Sequence, residues 1–198
     1  MGDVSVVVPV LNDAARIPYC LDRLARQEAI ATIIVVDRGS TDDTRWIVQV
    51  YSSIIEKVRL ISAPGLEKVA ARNLGFDAAD SEIIGHLGAD TRVAFDWART
   101  ITHHLSEYPE TAAITKINAT HARPAHEVPD SEPQIRHRSR IFDIAAGWPR
   151  GANLTIRRSV WLEVREETVA VADPRVDFDL ALCLSRRGRR IDQLVPLR

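Results

Sequence analysis

The chain opens with the stretch VSVVVPVLND at residues 4–13, and this stretch decides the fold. Its β-branched residues form an apolar run of strand length, as in strands that are buried on both faces of a parallel sheet. Pro9 has no backbone N–H, so we expect the hydrogen-bond ladder to end there. Asn12 or Asp13 can cap the helix that follows. The stretch therefore predicts a strand, a turn and a helix, which together are the repeating unit of an α/β sheet.

Further units of the same kind follow along the chain. Strands are predicted at residues 32–36, 58–62, 83–87, 112–117, 151–156 and 191–195, and helices after residues 13 and 43 and at residues 69–79, 95–108 and 177–187. This alternation predicts a single α/β domain whose mostly parallel sheet carries helices on both faces. Residues 119–150 interrupt the pattern with prolines and charged residues, so we expect a long surface loop there.

Composition excludes several classes of protein. The 198-residue chain has a formal net charge of −1, so no strong field is available to attract nucleic acid. Its two cysteines, Cys20 and Cys183, provide neither a disulfide framework nor a metal-ligand spacing, which fits a reducing compartment. The sequence shows no signal peptide and no apolar run of about 20 residues, the length that spans a bilayer. We therefore expect a soluble, cytoplasmic protein without a transmembrane segment.

Two groups of arginines leave two interpretations open. The groups are Arg136, Arg138 and Arg140, and Arg186, Arg187, Arg189 and Arg190. Runs of charge are usually solvated surface. The alternative is a docking face for a phosphorylated or membrane-borne acceptor, which would allow peripheral contact with the inner face of the membrane.

Polar residues follow three of the predicted strands, in the loops at residues 9–13, 37–43 and 88–90. In an open α/β sheet, ligands bind outside the carboxyl ends of the strands, so these loops are expected to form a site. The first loop lacks G-x-G-x-x-G, and the chain has no G-x-x-x-x-G-K-[ST] motif. Both hydride transfer with a nicotinamide cofactor and P-loop phosphoryl transfer are therefore disfavoured.

Two residues near these loops have two interpretations each. Asp90 could hold a divalent cation beside a diphosphate, since Mg²⁺ and Mn²⁺ prefer oxygen ligands, or it could cap the next helix or turn. Arg72 lies at the start of a predicted helix, where a phosphate could bind. It could equally be a surface arginine on an amphipathic helix.

Six segments, in order, match one family. They are VSVVVPVLND at 4–13, VVDRGSTDDT at 35–44, AARNLGFDAA at 70–79, GHLGAD at 85–90, GANL with two following arginines at 151–158, and VDFDL at 176–180. Together they resemble the motifs of the inverting family 2 glycosyltransferases. The resemblance implies the A-type glycosyltransferase fold, which is a Rossmann-like, nucleotide-binding sheet.

The resemblance also implies residue roles. Asp37 would accept a hydrogen bond from the base, Asp90 would bind Mn²⁺ or Mg²⁺, and Asp177 would be the general base that deprotonates an acceptor hydroxyl. The implied nucleotide-sugar site consists of Pro9, Asn12, Asp37, Arg38, Ser40, Arg72, Asn73, Ala89 and Asp90. Within it, Pro9 and Asn12 would line the nucleoside pocket and Arg72 would approach the diphosphate. Residues 1–118 would bind the donor, a UDP- or GDP-sugar, and residues 119–198 would bind a glycan, lipid or small-molecule acceptor.

The chain departs from the family pattern at three positions. Arg38, Gly88 and Val176 stand where the family has carboxylates. These changes leave two further hypotheses open besides an active transferase. One is a catalytically degenerate relative or partner subunit that still binds a nucleotide-sugar. The other is a nucleotidyltransferase, which would need a glycine-rich, basic first loop that this chain lacks.

Overall fold

The computed structural model describes residues 4–116, 137–141, 153–170 and 178–196. The strands within these ranges are β1 (Val4–Val10), β2 (Ile30–Asp37), β3 (Val58–Ser62), β4 (Ile83–Leu87), β5 (Thr111–Lys116), β6 (His137–Ile141), β7 (Asn153–Arg157) and β8 (Arg190–Pro196). The α-helices there are α1 (Ile17–Ala25), α2 (Thr44–Ile54), α3 (Lys68–Asp77), α4 (Trp97–Glu107), α5 (Arg158–Val164) and α6 (Phe178–Arg186). A 3₁₀ helix, Arg165–Ala170, follows α5. No helix in these ranges is both long and apolar enough to cross a membrane.

The strands described form one sheet in the order β3-β2-β1-β4-β7-β5-β8-β6. The first four are parallel to one another, and β8 is parallel to β5. Strand β7 lies antiparallel between β4 and β5, and β6 is antiparallel to β8. The prediction of a mostly parallel α/β sheet in a single domain is therefore confirmed.

The apolar core has two parts, one on each face of the sheet. Alternating side chains of β1 make the division, because Val6 and Val8 face one layer and Val7 faces the other. Helices α1, α2 and α4 cover the first face, and α3, α5 and α6 cover the second. The predicted placement of helices on both faces is confirmed, and it leaves the carboxyl ends of β1, β2 and β4 as the place where loops can gather.

Helix α3 packs very closely on the sheet because residue 75 is a glycine. A Cβ atom at Gly75 would lie 2.2 Å from Cγ1 of Val7 and 3.2 Å from Cγ2 of Val36. Gly85 plays the same part on the other face, where a Cβ would lie 2.7 Å from the ring of Trp97. Because glycine has no side chain, each helix can pack closely on the strands that carry the loops.

A buried carboxylate holds together the amino end of the sheet. Asp192 on β8 receives hydrogen bonds from Thr111 Oγ1 at 2.8 Å, from Arg190 Nε at 2.7 Å and from Arg190 Nη2 at 3.1 Å. His104 Nε2 on α4 lies 2.8 Å from the same carboxylate. An ionised carboxylate can only accept, so this ring nitrogen carries the hydrogen. Both oxygens of Asp192 are thus fully engaged.

The structure differs from the sequence-based expectations in three places. The expected loop at residues 119–150 contains β6, so that prediction is wrong at His137–Ile141, while 117–136 and 142–152 lie outside the described residues. Helix α5 was not predicted, because its apolar pattern spans only two turns. The ladder does not end at Pro9, since Val10 still pairs with Asp37 and its carbonyl accepts from the Arg38 N–H at 3.0 Å.

Candidate functional site

Asn12 joins the loops that follow β1 and β2. Its φ of 56° places the backbone in the left-handed region, which asparagine tolerates better than most residues. The amide oxygen accepts from the backbone N–H of Thr41 at 2.9 Å, and the Asn12 N–H donates to Ser40 Oγ at 3.0 Å. Two of the predicted site residues, Asn12 and Ser40, are therefore brought together, and their contacts make the two loops one unit.

A second set of bonds strengthens the same junction. The backbone N–H of Asp13 donates to Thr44 Oγ1 at 2.8 Å, and that of Ala14 donates to Asp42 Oδ2 at 3.2 Å. The Thr44 hydroxyl in turn donates to Asp42, and this hydrogen bond lowers the pKa of the Asp42 carboxyl. The loops are thus ordered before any ligand binds, which reduces the entropy that binding must overcome.

Asp37 is the most unusual group of the site. It ends β2, is 1% exposed, and uses Oδ1 to accept from the Ser40 N–H at 3.0 Å. Its Oδ2 is also buried, and no donor in the described part of the chain reaches it. A buried acceptor without a partner costs about 1–3 kcal/mol. Such a group is expected where a ligand supplies the missing donor.

The segment between β3 and α3 closes against Asp37 and Arg38. Backbone bonds run from the Ala63 N–H to the Asp37 carbonyl at 2.8 Å and from the Gly65 N–H to the Arg38 carbonyl at 3.0 Å. The Arg38 Nε donates to the Leu66 carbonyl at 2.8 Å, and its Nη2 lies 3.8 Å from Glu67. Arg38, one of the three departures from the family pattern, is thus engaged with residues 66 and 67.

Gly39 allows this close contact. Its φ is 104°, in a region where residues with a Cβ are strained, and a Cβ there would lie 3.3 Å from that of Pro64. The turn after β2 can therefore lie directly against the turn after β3.

The loop after β4 carries one exposed carboxylate. Ala89 is 7% exposed and packs into the core, whereas Asp90 is exposed to solvent. Asp90 Oδ1 lies 2.6 Å from where a Cβ on Gly88 would be, so the glycine at 88 leaves room for the observed orientation of the Asp90 carboxylate. Burial, together with the nearby charges of Asp90 and Asp13, raises the pKa of the Cys20 thiol to about 12. Both carboxylates thus lie near one buried thiol beneath the site.

This donor set limits the kind of metal site that can form. No group of three or more His, Cys, Asp or Glu residues suited to a metal occurs in the part of the chain that the structure describes. A cation held by protein ligands alone therefore does not fit these residues. A hard cation that shares its coordination between one carboxylate and diphosphate oxygens does fit them.

Arg72 has a protein partner. Its guanidinium is 0% exposed and donates from Nη1 and Nη2 to the two oxygens of Asp179, each at 2.9 Å. Its Nε and Nη2 also donate to Asn73 Oδ1, at 3.0 Å and 2.7 Å. The interpretation of Arg72 as a surface arginine is therefore wrong, while its approach to a diphosphate stays a prediction. Sequence reasoning missed this pair, because nothing in the separate motifs shows which acid faces which arginine.

The positions of the remaining predicted residues say less about a ligand site. Pro9 is buried within β1, where it pairs with Val36. Asp177 lies outside the described residues. Three arginines of the second basic group have acidic partners: Arg187 pairs with Glu167, Arg189 with Glu163, and Arg190 with Glu110 and Asp192. These pairs favour the solvated-surface interpretation of that group.

Comparison with known proteins assigns the family. The family model described as "Glycosyl transferase family 2" matches residues 5–162 of this chain. The chain belongs to this family. Glycosyltransferase AglE of Haloferax volcanii is 32% identical over 98 residues, which are 48% of this chain and 32% of AglE. The family 2 assignment confirms the resemblance that the six motifs indicated.

Solved structures show the same fold. The crystal structure of S. aureus TarS 1-349 superposes with a TM-score of 0.70 and 18% identity over 98% of this chain and 60% of that chain. The mannosyltransferase PcManGT from Pyrobaculum calidifontis, in complex with GDP-Man and Mn²⁺, gives 0.68 and 20% over 98% of this chain and 56% of that protein. The family 2 chain thus has the A-type glycosyltransferase fold, and it spans about a third of AglE and just over half of the two solved relatives.

Proposed function

We propose that this family 2 chain binds a uridine diphosphate-sugar and transfers the sugar to an acceptor hydroxyl with inversion at the anomeric carbon. The observation that carries the proposal is the unpartnered Oδ2 of Asp37 at the carboxyl end of β2. It lies where ligands of open α/β sheets bind, beside loops that are already ordered. TarS, with the same fold, has been crystallised in complex with UDP-GlcNAc, which supports a nucleotide-sugar donor.

Asp37 favours uracil over guanine as the base. Oδ1 already accepts the Ser40 N–H, which leaves Oδ2 as the free acceptor. Uracil presents a single ring N–H between two carbonyl oxygens, and one free carboxylate oxygen matches it. Guanine presents two adjacent N–H donors, which are best satisfied by both oxygens of a carboxylate. A UDP-sugar is therefore the better fit to this site.

In the proposed reaction, the acceptor oxygen attacks the anomeric carbon as the bond from that carbon to the diphosphate breaks. The diphosphate leaves with the bonding electrons, and Asp177 takes the proton of the acceptor hydroxyl as general base. Attack opposite the leaving group inverts the configuration. Asp90 is the residue that would hold Mn²⁺ or Mg²⁺, and such a cation would offset the charge that grows on the leaving diphosphate.

Isothermal titration of the chain with UDP and with GDP, each with and without Mn²⁺, tests the donor site. We expect UDP to bind at least about tenfold more tightly than GDP, a difference of roughly 1.4 kcal/mol. Binding that is stronger with Mn²⁺ and loses this dependence in Asp90→Ala would support the cation site. Equal affinity for the two nucleotides would contradict the assignment of the base.

Turnover is tested separately, by release of UDP from UDP-glucose, UDP-galactose and UDP-GlcNAc. We expect Asp177→Asn to abolish release while the affinity for UDP stays within about twofold, because the general base acts only in the transition state. The carboxylates missing at Arg38, Gly88 and Val176 favour the alternative, a binding protein without turnover. UDP binding combined with no release from any of these donors would select that alternative.

A further inference from the structure

Two adjacent residues of α3 contact two separate segments of the second half of the chain. The Arg72 guanidinium donates hydrogen bonds to both carboxylate oxygens of Asp179 on α6. Asn73 Nδ2 donates to Thr168 Oγ1 in the 3₁₀ helix at 3.1 Å. The two side chains are joined by the bonds from Arg72 to Asn73 Oδ1. The four residues therefore form one continuous polar network, which we call the α3 clamp.

The α3 clamp holds the chain on both sides of residues 171–177. Thr168 precedes this segment, and Asp179 follows it. Thr168 is fully buried and is fixed again by donating to the Arg165 carbonyl at 2.8 Å. An exposed ion pair joins Glu167 of the 3₁₀ helix to Arg187, the residue that follows α6. Both ends of the segment that carries Asp177 are thus anchored to one spot on α3.

Stability alone is a poor explanation for such a cluster. Removing two charges from water is costly, and replacing a buried ion pair by apolar residues of similar volume is often neutral or stabilising. The advantage of a two-pronged arginine–carboxylate contact is geometric, since the planar fork fixes distance and orientation together. The contact fixes the first turn of α6, which begins directly after the proposed base Asp177 in the sequence.

We propose that Arg72 and Asn73 are positioning residues, which fix Asp179 and Thr168 so that Asp177 meets the acceptor hydroxyl. The catalytic part of this inference rests on the proposed function. The anchoring part does not, because it can be measured without a substrate. It follows that the α3 clamp acts on the rate of the chemical step and leaves the affinity for the donor base to Asp37.

The test compares two variants with a matched control. Arg72→Met with Asp179→Leu replaces the buried pair by apolar side chains of similar length. Thr168→Val removes only the hydroxyl that Asn73 contacts, and it serves if the double variant fails to fold. Trp161→Phe is the control, because it removes the bond from Trp161 Nε1 to Asp77, which ties α5 to α3 outside the clamp.

Three quantities are measured for each protein: amide hydrogen exchange in the 3₁₀ helix Arg165–Ala170 and in α6, kcat with KM for the donor, and the urea midpoint. We expect exchange in these two elements to rise about tenfold in both clamp variants and to stay unchanged in Trp161→Phe. In Thr168→Val, whose residue lies outside the predicted nucleotide-sugar site, KM for the donor should stay within about twofold while kcat falls. For the double variant we expect kcat to fall about 100-fold, as for a misplaced catalytic group. Its urea midpoint should stay close to that of the wild type.

The outcomes separate the two proposals. Faster exchange in the clamp variants supports the anchoring even if the wild type shows no sugar transfer, which would overturn the proposed function alone. An active wild type whose exchange and kcat are unchanged in both clamp variants would overturn the positioning role and leave the proposed function standing. A fall in kcat that follows the urea midpoint, with the control affected equally, would also overturn it.

Discussion

The sheet has a buried carboxylate near each end, and the two are bonded very differently. Asp192, at the amino end, receives hydrogen bonds from Thr111 and Arg190 and faces His104. Asp37, at the carboxyl end, accepts one backbone N–H and has a second oxygen that is buried without a partner. Both side chains are almost fully buried, so burial does not distinguish them.

The two carboxylates differ in how many of their hydrogen-bond acceptors have a donor. A buried carboxylate whose oxygens all accept hydrogen bonds contributes to the stability of the fold, and removing it leaves the donors without an acceptor. A carboxylate with an open acceptor costs stability until a ligand arrives. The comparison therefore supports a structural role for Asp192 and agrees with the binding role proposed for Asp37, and the four predictions below test that division.

The largest effect is expected from Asp192→Ala. This change leaves Arg190, His104 and Thr111 without their acceptor and should lower the free energy of unfolding by about 3–5 kcal/mol. Urea denaturation followed by tryptophan fluorescence measures the loss, and titration with UDP at low temperature should give the wild-type affinity. A normal urea midpoint, or weakened UDP binding by folded protein, would break the division.

Asp37→Asn should show the opposite pattern. The amide oxygen can still accept from the Ser40 N–H, which turns an NH₂ group toward the N–H of the base. Loss of one charge-assisted hydrogen bond predicts a Kd for UDP about 10- to 100-fold higher, or roughly 1.5–3 kcal/mol. The free energy of unfolding should not fall, because the unpartnered charge disappears. A destabilised variant with unchanged UDP affinity would contradict the binding role.

The pH dependence of stability gives a smaller effect with a defined sign. Burial acts to raise the pKa of Asp192, but the hydrogen bonds from Arg190, His104 and Thr111 outweigh it, so the pKa lies below the usual value of about 3.9. The stabilising contribution is therefore complete above about pH 4 and is lost as the pH falls through the lowered pKa. Between about pH 5 and 3, the urea midpoint of Asp192→Ala should therefore fall less steeply than that of the wild type. Parallel curves for the two proteins would exclude Asp192 as a source of acid sensitivity.

The smallest effect is expected from Arg38→Ala. It removes the bond from Nε to the Leu66 carbonyl, which helps to hold the segment beside Asp37. A typical net value of about 0.5–1 kcal/mol predicts a loss in UDP affinity of about two- to fivefold. Glu67→Ala is the matched control and should change nothing, because its contact with Arg38 is 3.8 Å long and the Glu67 side chain is 93% exposed. Equal losses in both variants would show that the ion pair matters instead.

Local patterns were enough to predict most of the fold. Strands β3 and β4 were predicted with the observed bounds, since short apolar β-branched runs between turn residues are typical of buried strands. Strand β6 was missed because HRSRI has alternating charges and no apolar face that a single sequence can show. The placement of β7 between β4 and β5 was not predictable either, because it depends on pairing between distant parts of the chain.

The sequence predicted which loops carry the candidate site better than it predicted which side chains contact each other there. The strand-end rule selected Asn12, Asp37 and Asp90, and their roles in binding stay a prediction. The sequence did not show that Asn12 ties two loops together or that Arg72 is buried against Asp179. It also gave no reason for the glycine of AARNLG, which the structure explains by the approach of Gly75 to Val7. Such contacts depend on three-dimensional distance, which residue spacing does not encode.

The position of β7 has a consequence for synthesis on the ribosome. Strands β1 to β4 pair side by side with one another and lie within residues 4–87, so they can associate while the rest of the chain is still being made. The outer edge of β4 then stays open until β7 emerges, more than 60 residues later. A nascent chain of this protein therefore exposes an unpaired strand edge for several seconds, at about 5–20 residues per second, and that edge is where a chaperone or another nascent copy would first attach.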